Sequence, residues 1–126
     1  LIAQYRQQKE KFMKDLSDAF LMEVQTFFQK HPIANDISWN QYTPYFNDGD
    51  TCTFWVNSCS ATVNGYEDYD LKEGDENFKE IDAAIADLTT LLETVPDEMM
   101  ENAFGDHSTI KIDRAGKVTI ESCEHD

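Results

Sequence analysis

Asn47, Asp48 and Asp50 set three oxygen-bearing side chains around Gly49, as the opening of a calcium loop does. A complete loop continues with ligands at alternating positions and closes on a bidentate glutamate. Here Thr51, Cys52 and Phe54 follow, so the pattern stops short, and a tight hairpin turn accounts for the same letters. His107 with Cys123 and His125 is a second donor set, suited to zinc, but it lacks the spacing of a zinc motif. Cys59 or Ser108 beside a histidine would be raw material for nucleophilic catalysis, yet no local pattern pairs either one with His31, His107 or His125. The chain has no glycine-rich phosphate loop and no H-E-x-x-H helix. These residues keep open one class of function, a divalent-metal-dependent enzyme or small-ligand-binding protein. They designate no catalytic residue, metal ligand or cofactor.

The same turn sits behind a cluster of aromatics, Trp39, Tyr42, Tyr45 and Phe46. With Asn47-Asp48-Gly49 as a three-residue loop, Phe46 faces Asp50, Pro44 faces Cys52, Tyr42 faces Phe54 and Asn40 faces Val56. That register predicts a core face of Tyr42, Phe46, Cys52, Phe54 and Val56. The other face would carry Trp39, Tyr45 and Trp55 with Gln41, Thr43, Thr51 and Thr53. Two readings follow for this second face: helices cover both sides of the sheet, or Trp39, Tyr45 and Trp55 form an aromatic protein-binding patch. The acids Glu67, Asp68, Asp70 and Glu73, in the loop over residues 66–76, would rim such a patch.

The elements that must position these residues are legible from periodicity. Tyr5, Phe12, Leu16, Phe20, Val24, Phe27 and Phe28 recur at three- and four-residue spacings, predicting a long first helix that ends near His31, before Pro32. Phe78, Ile81, Ile85, Leu88, Leu92 and Val95 predict a second amphipathic helix, with Asp75 as N-cap and Pro96 as its stop. Pro96-Asp97-Glu98 opens a short third helix that ends at Gly105 and delivers Met99, Met100, Ala103 and Phe104 to the core. Near the C-terminus, Arg114-Ala115-Gly116 reads as a hairpin loop with Gly116 left-handed. Ile112 then faces Val118 and Ile110 faces Ile120, all four on one buried face. Residues 58–65 continue the first hairpin past a bulge or form a separate strand. The whole chain, residues 1–126, is expected to be one α+β domain, an antiparallel sheet of about four strands in two hairpins packed with the two main helices.

Composition and charge decide what such a domain touches. The 126 residues are 40% hydrophobic and 12% aromatic, too apolar for disorder, and no apolar run reaches bilayer length. Three cysteines without C-x-x-C spacing, and no short apolar leader, predict reduced thiols in a cytoplasmic protein. The net charge is −15, with residues 1–30 at +1 and the remainder at −16. No basic stripe is available to displace counterions from phosphates, so direct nucleic-acid binding and anionic membranes are excluded as expectations. A protein partner with a basic surface is expected instead, and a second copy of the chain is the partner considered for the basic face of the first helix.

The run W-x-Q-Y-T-P-Y-F-N-D-G-D beginning at Trp39, followed by Cys52 and Phe54, resembles a motif of small uncharacterised phage and bacterial proteins. The C-terminal hairpin with His125-Asp126 after it is similar too, and the first helix is not covered. The resemblance implies a phage-like origin, which would place the protein in the host cytoplasm, and brings no catalytic residues. The function expected is that of an acidic accessory protein that binds and inhibits a host protein in counter-defence. It would act through its acidic, aromatic surface, as a mimic of nucleic acid.

Overall fold

A computed structural model describes residues 1–43, 53–66 and 77–122. Helix α1 runs Ile2–Lys30, followed by strands β1 (Asp36–Tyr42) and β2 (Trp55–Val63). Helices α2 (Phe78–Thr94) and α3 (Asp97–Phe104) come next, and strands β3 (Ser108–Asp113) and β4 (Val118–Ser122) close the fold. The strands form one antiparallel sheet in the order β2-β1-β3-β4. The expected α+β class and two-hairpin sheet are therefore observed, with β1 joining the hairpins by pairing with β3.

All three helices contribute to one core against one face of the sheet. From α1 come Phe20, Val24, Phe27 and Phe28, and from α2 come Ile81, Ala84, Ile85, Leu88 and Leu92. Helix α3 adds Met99, Met100 and Phe104, and the strands add Ile37, Trp39, Val56, Ala61, Val63, Ile110 and Ile112. Each of the larger side chains contributes about 1.5–3 kcal/mol by leaving water, before conformational entropy is subtracted. The apolar stripe of α1 outruns this core. Tyr5 and Phe12 are 66% and 59% exposed, although Met13 beside Phe12 packs against the core.

Several local expectations are corrected. The N-cap of α2 is Asn77, left-handed at φ 63° and without a side-chain capping bond, and Asp75 lies outside the described residues. Pro96 is the N-cap of α3 rather than its first helical residue; Asp97 and Glu98 occupy the first turn as the dipole favours. The C-terminal hairpin has the expected register, Ile110 opposite Ile120 and Ile112 opposite Val118, with Gly116 at φ +92°. Its burial is only half as expected: Ile110 and Ile112 are buried, but β4 is an edge strand and Ile120 is 49% exposed.

The first hairpin departs further. Tyr42 faces Trp55 and Gln41 faces Val56, one residue away from the expected pairing. Because side chains alternate, this slip exchanges the faces of one strand relative to the other. Trp39 and Trp55 consequently lie on opposite faces. Beyond Asn40 the register jumps to Ser38 opposite Thr62, so β2 bulges outward over residues 58–61 and then continues. The Ser60 hydroxyl fills the gap, accepting from Asn40 N–H at 3.0 Å and donating to Asn57 C=O at 2.7 Å. The expected Asn47-Asp48-Gly49 turn, and the pairings of Pro44 and Phe46, fall outside the described residues.

Candidate functional site

Trp39 is not part of a contact surface. It is 1% exposed, wedged between Phe20 of α1 and Phe104 of α3 with ring centroids 5.9 and 5.7 Å away. Its indole N–H donates to Gln41 Oε1 at 3.1 Å, and Gln41 is itself fully buried. The Gln41 amide donates to the carbonyls of Met100 (2.9 Å) and Gly105 (2.8 Å). Residues 39 and 41 thus form a satisfied polar bracket that fixes the end of α3 on the sheet. The described helices all lie on this face and none on the opposite one, which corrects both the cover by the two main helices on two sides and the placement of Trp39 in an aromatic patch.

Trp55 does reach the surface. On the helix-free face it packs edge-on against Tyr42, with centroids 5.6 Å apart and planes at 72°, and remains 39% exposed. Asp36, Ser38 and Asn40 of β1 share that face with Thr109 and Lys111 of β3 and Thr119 and Glu121 of β4. The result is a polar surface with one aromatic corner. Of the other residues assigned to the patch, Tyr45, Glu67, Asp68, Asp70 and Glu73 lie outside the described residues.

The segment leaving β1 is held by Asp106. Its carboxylate accepts from Thr43 N–H and the Thr43 hydroxyl, both at 2.7 Å, and from His107 N–H at 2.8 Å. Burial pushes the Asp106 carboxyl up, but the Thr43 hydroxyl and the backbone donors outweigh it and hold its pKa below the usual carboxylate value. Ser108, weighed as a nucleophile, is 5% exposed and donates its proton to the Asp106 carbonyl at 3.0 Å rather than to a histidine. Cys59 is an exposed free thiol.

His31 closes α1 and donates from Nε2 to Asp87 Oδ2 at 2.6 Å, while Lys30 Nζ lies 3.0 Å from the same oxygen. The His31 hydrogen bond, then that of Lys30, lowers the Asp87 pKa. A histidine oriented by a carboxylate resembles half of a catalytic triad. Here the imidazole is 9% exposed, rests on Phe27 at 4.9 Å, and no hydroxyl or thiol hydrogen-bonds to it among the described residues. The pair fastens α1 to α2. Among the described residues no three His, Cys, Asp or Glu side chains converge as metal ligands. Cys123 and His125 are not among those residues, so the zinc set with His107 lies partly outside them.

What the described surface does offer is uncompensated negative charge. Lys9–Glu98, Lys30–Asp87, His31–Asp87, His107–Asp106 and Lys111–Asp36 are the ion pairs among the described residues. Glu80, Asp82, Glu93, Asp97, Glu101 and Glu121 have no such partner there. Two open grooves run beside these acids. One of about 540 Å³ between α1 and α3 sets Glu101 and the Lys9–Glu98 pair beside Arg6, and one of about 530 Å³ between β2 and α2 includes Cys59, Asp82 and Thr89.

No family model, curated protein or solved structure matches this chain. Among the described residues no helix is long and apolar enough to cross a membrane.

Sequence reasoning missed the Gln41 bracket, the Asp106 clamp and the role of Arg114, which hydrogen-bonds to Phe28, His31, Pro32 and Ala34 carbonyls at the end of α1. The only local signal for the first was an amide two residues from a tryptophan in a strand, which places both on one face.

Proposed function

We propose that this chain is a non-enzymatic binding protein whose acidic surface engages a protein partner with a basic surface. The observation that supports this most is the surplus of carboxylates on α2 and α3 that make no ion pair among the described residues. Such a surface raises the encounter rate with a basic partner and disfavours nucleic acid and anionic membranes. Trp55, half-open beside Tyr42, is the aromatic anchor of the contact, and the acids Glu67, Asp68, Asp70 and Glu73 add to the negative charge that attracts the partner. In the finer form of the proposal, the protein is phage-encoded, acts in the host cytoplasm and inhibits a nucleic-acid-binding host protein by presenting carboxylates in place of phosphates.

The test is affinity capture from bacterial lysate at low and high salt, alongside an unrelated control protein of equal size and net charge. A basic protein retained by this chain and not by the control, and released by salt, is the expected result. Its place on the acidic surface is checked by adding competing duplex DNA to the purified pair. Equal capture by the control would reduce the charge to a solubility feature.

A further inference from the structure

We infer that the outer edge of β4 is a self-pairing interface that joins two copies of this chain into one continuous antiparallel sheet. Strand β4 ends the sheet, no described residue pairs with its outer side, and from Thr119 to Ser122 every residue is exposed. The two sheet edges differ in kind. Edge strand β2 bulges over residues 58–61, a distortion that hinders addition of a further strand, whereas β4 pairs regularly along Val118–Ser122 without bulge or proline. On the helix side of β4, Ile120 is 49% exposed although its cross-strand partner Ile110 is fully buried.

The occupant is selected by the strand itself. Asp113 N–H donates to Lys117 C=O at 3.1 Å, so Lys117, Thr119 and Glu121 turn their backbone groups toward β3. Val118 and Ile120 therefore turn theirs outward. A two-fold axis through Thr119 sets Val118 against Ile120 of a second copy in hydrogen-bonded pairs, with both side chains on the helix side. The same axis sets Lys117 against Glu121 of that copy, twice, in the closer non-hydrogen-bonded pairs. Centring the axis on Val118 or Ile120 instead loses both ion pairs, and a one-residue slip sets outward-turned backbone groups of one copy against inward-turned ones of the other. Neither Lys117 nor Glu121 has an ion-pair partner among the described residues, so both charges are available. The short palindrome Lys-Val-Thr-Ile-Glu is complementary to itself in backbone, apolar contact and charge.

Sedimentation velocity over a concentration series tests this, in about 0.15 M salt so that repulsion between two chains of net charge −15 is screened beyond roughly 8 Å. The wild-type protein is expected to form a dimer that dissociates on dilution. Lys117→Glu sets acid against acid at both pairs and Glu121→Lys sets base against base; each should raise the dissociation constant about tenfold or more. The double variant Lys117→Glu/Glu121→Lys should restore the dimer, and melting curves of all three verify that the fold is kept. A wild-type protein that stays monomeric at every concentration overturns the inference. So does a dimer that the single variants leave intact or the double variant does not restore. This interface is independent of the basic-partner reading, which the capture experiment addresses separately.

Discussion

The guanidinium of Arg114 lies over the ring of Phe28, 5.3 Å from its centroid, although the two residues stand on the last hairpin and the first helix. From that position it donates to Phe28 C=O at 2.8 Å, His31 C=O at 2.9 Å and Pro32 C=O at 3.1 Å, and also to Ala34 C=O. The Phe28 carbonyl belongs to the last turn of α1, where carbonyls have no partner within the helix, and the other three lie in the segment that leaves it. A planar, always-charged fork suits several of them at once. Helix α1 is capped from the far end of the chain.

Arg114→Ala should therefore cost on the order of 2–4 kcal/mol, from charged hydrogen bonds and the ring contact together. Arg114→Lys should recover little, since an ammonium cannot reach carbonyls on this arc in parallel. Urea midpoints of the two variants check this, and a lysine variant as stable as wild type would contradict the fork geometry.

Replacing Gln41 by Leu keeps the side chain's approximate volume and removes its amide. The Trp39 indole N–H and the Met100 and Gly105 carbonyls then lose a buried partner, at a cost of about 2–4 kcal/mol. Adding Trp39→Phe should make the pair less costly than the sum of the two changes, because the orphaned indole N–H is gone. Strict additivity in that double-mutant cycle would mean that the two side chains act separately.

Asp87 and Asp106 both have folded-state pKa values below the ordinary 3.8. A carboxyl depressed in this way adds stability that is fully present above its unfolded value and is lost as pH falls through the folded one. The wild-type urea midpoint should decline below about pH 4, and Asp87→Asn and Asp106→Asn should each flatten that decline. Both carboxylates are partly solvated, so the increments are modest. An acid limb of unchanged steepness in both variants would show that other groups govern it.

The two tryptophans should separate contact from core. Trp39→Ala should destabilise by about 3–5 kcal/mol, as expected for emptying a fully enclosed site. Trp55→Ala should leave the melting temperature within a few degrees of wild type and accelerate dissociation from the basic partner. Neutralising Glu67, Asp68, Asp70 and Glu73 should slow association instead, in proportion to its salt dependence. Partner kinetics indifferent to all of these changes would remove Trp55 and the loop from the contact.

What could be read in advance follows the range of the forces involved. Helix α2 was legible because Ile81, Ile85, Leu88 and Leu92 repeat at the helical period and all are buried. The β3–β4 register was legible because Gly116 pins it within a few residues. The first hairpin was not, since aromatics populate both faces of β1, Trp39 on one and Tyr42 on the other, and an alternation rule cannot choose between them. A bulge answered by the Ser60 hydroxyl also leaves no periodic trace. As for the candidate site, the excess acid was plain from the sequence. Which tryptophan reaches the surface was not, because that depends on a register one residue away from the expected one.

Strand β1 lies inside the sheet, yet one of its two neighbours is β3, which begins at Ser108. During synthesis, everything through α3 leaves the ribosome while one whole edge of β1 and the Phe28 carbonyl in the last turn of α1 still await partners. The final hairpin supplies both, β3 for the strand and Arg114 for the helix. Folding should thus be completed late and from the C-terminal side, so that a product truncated near Gly105 would carry an open strand edge and an uncapped helix. Such a product should be more sensitive to proteolysis than a chain that carries β3 and β4.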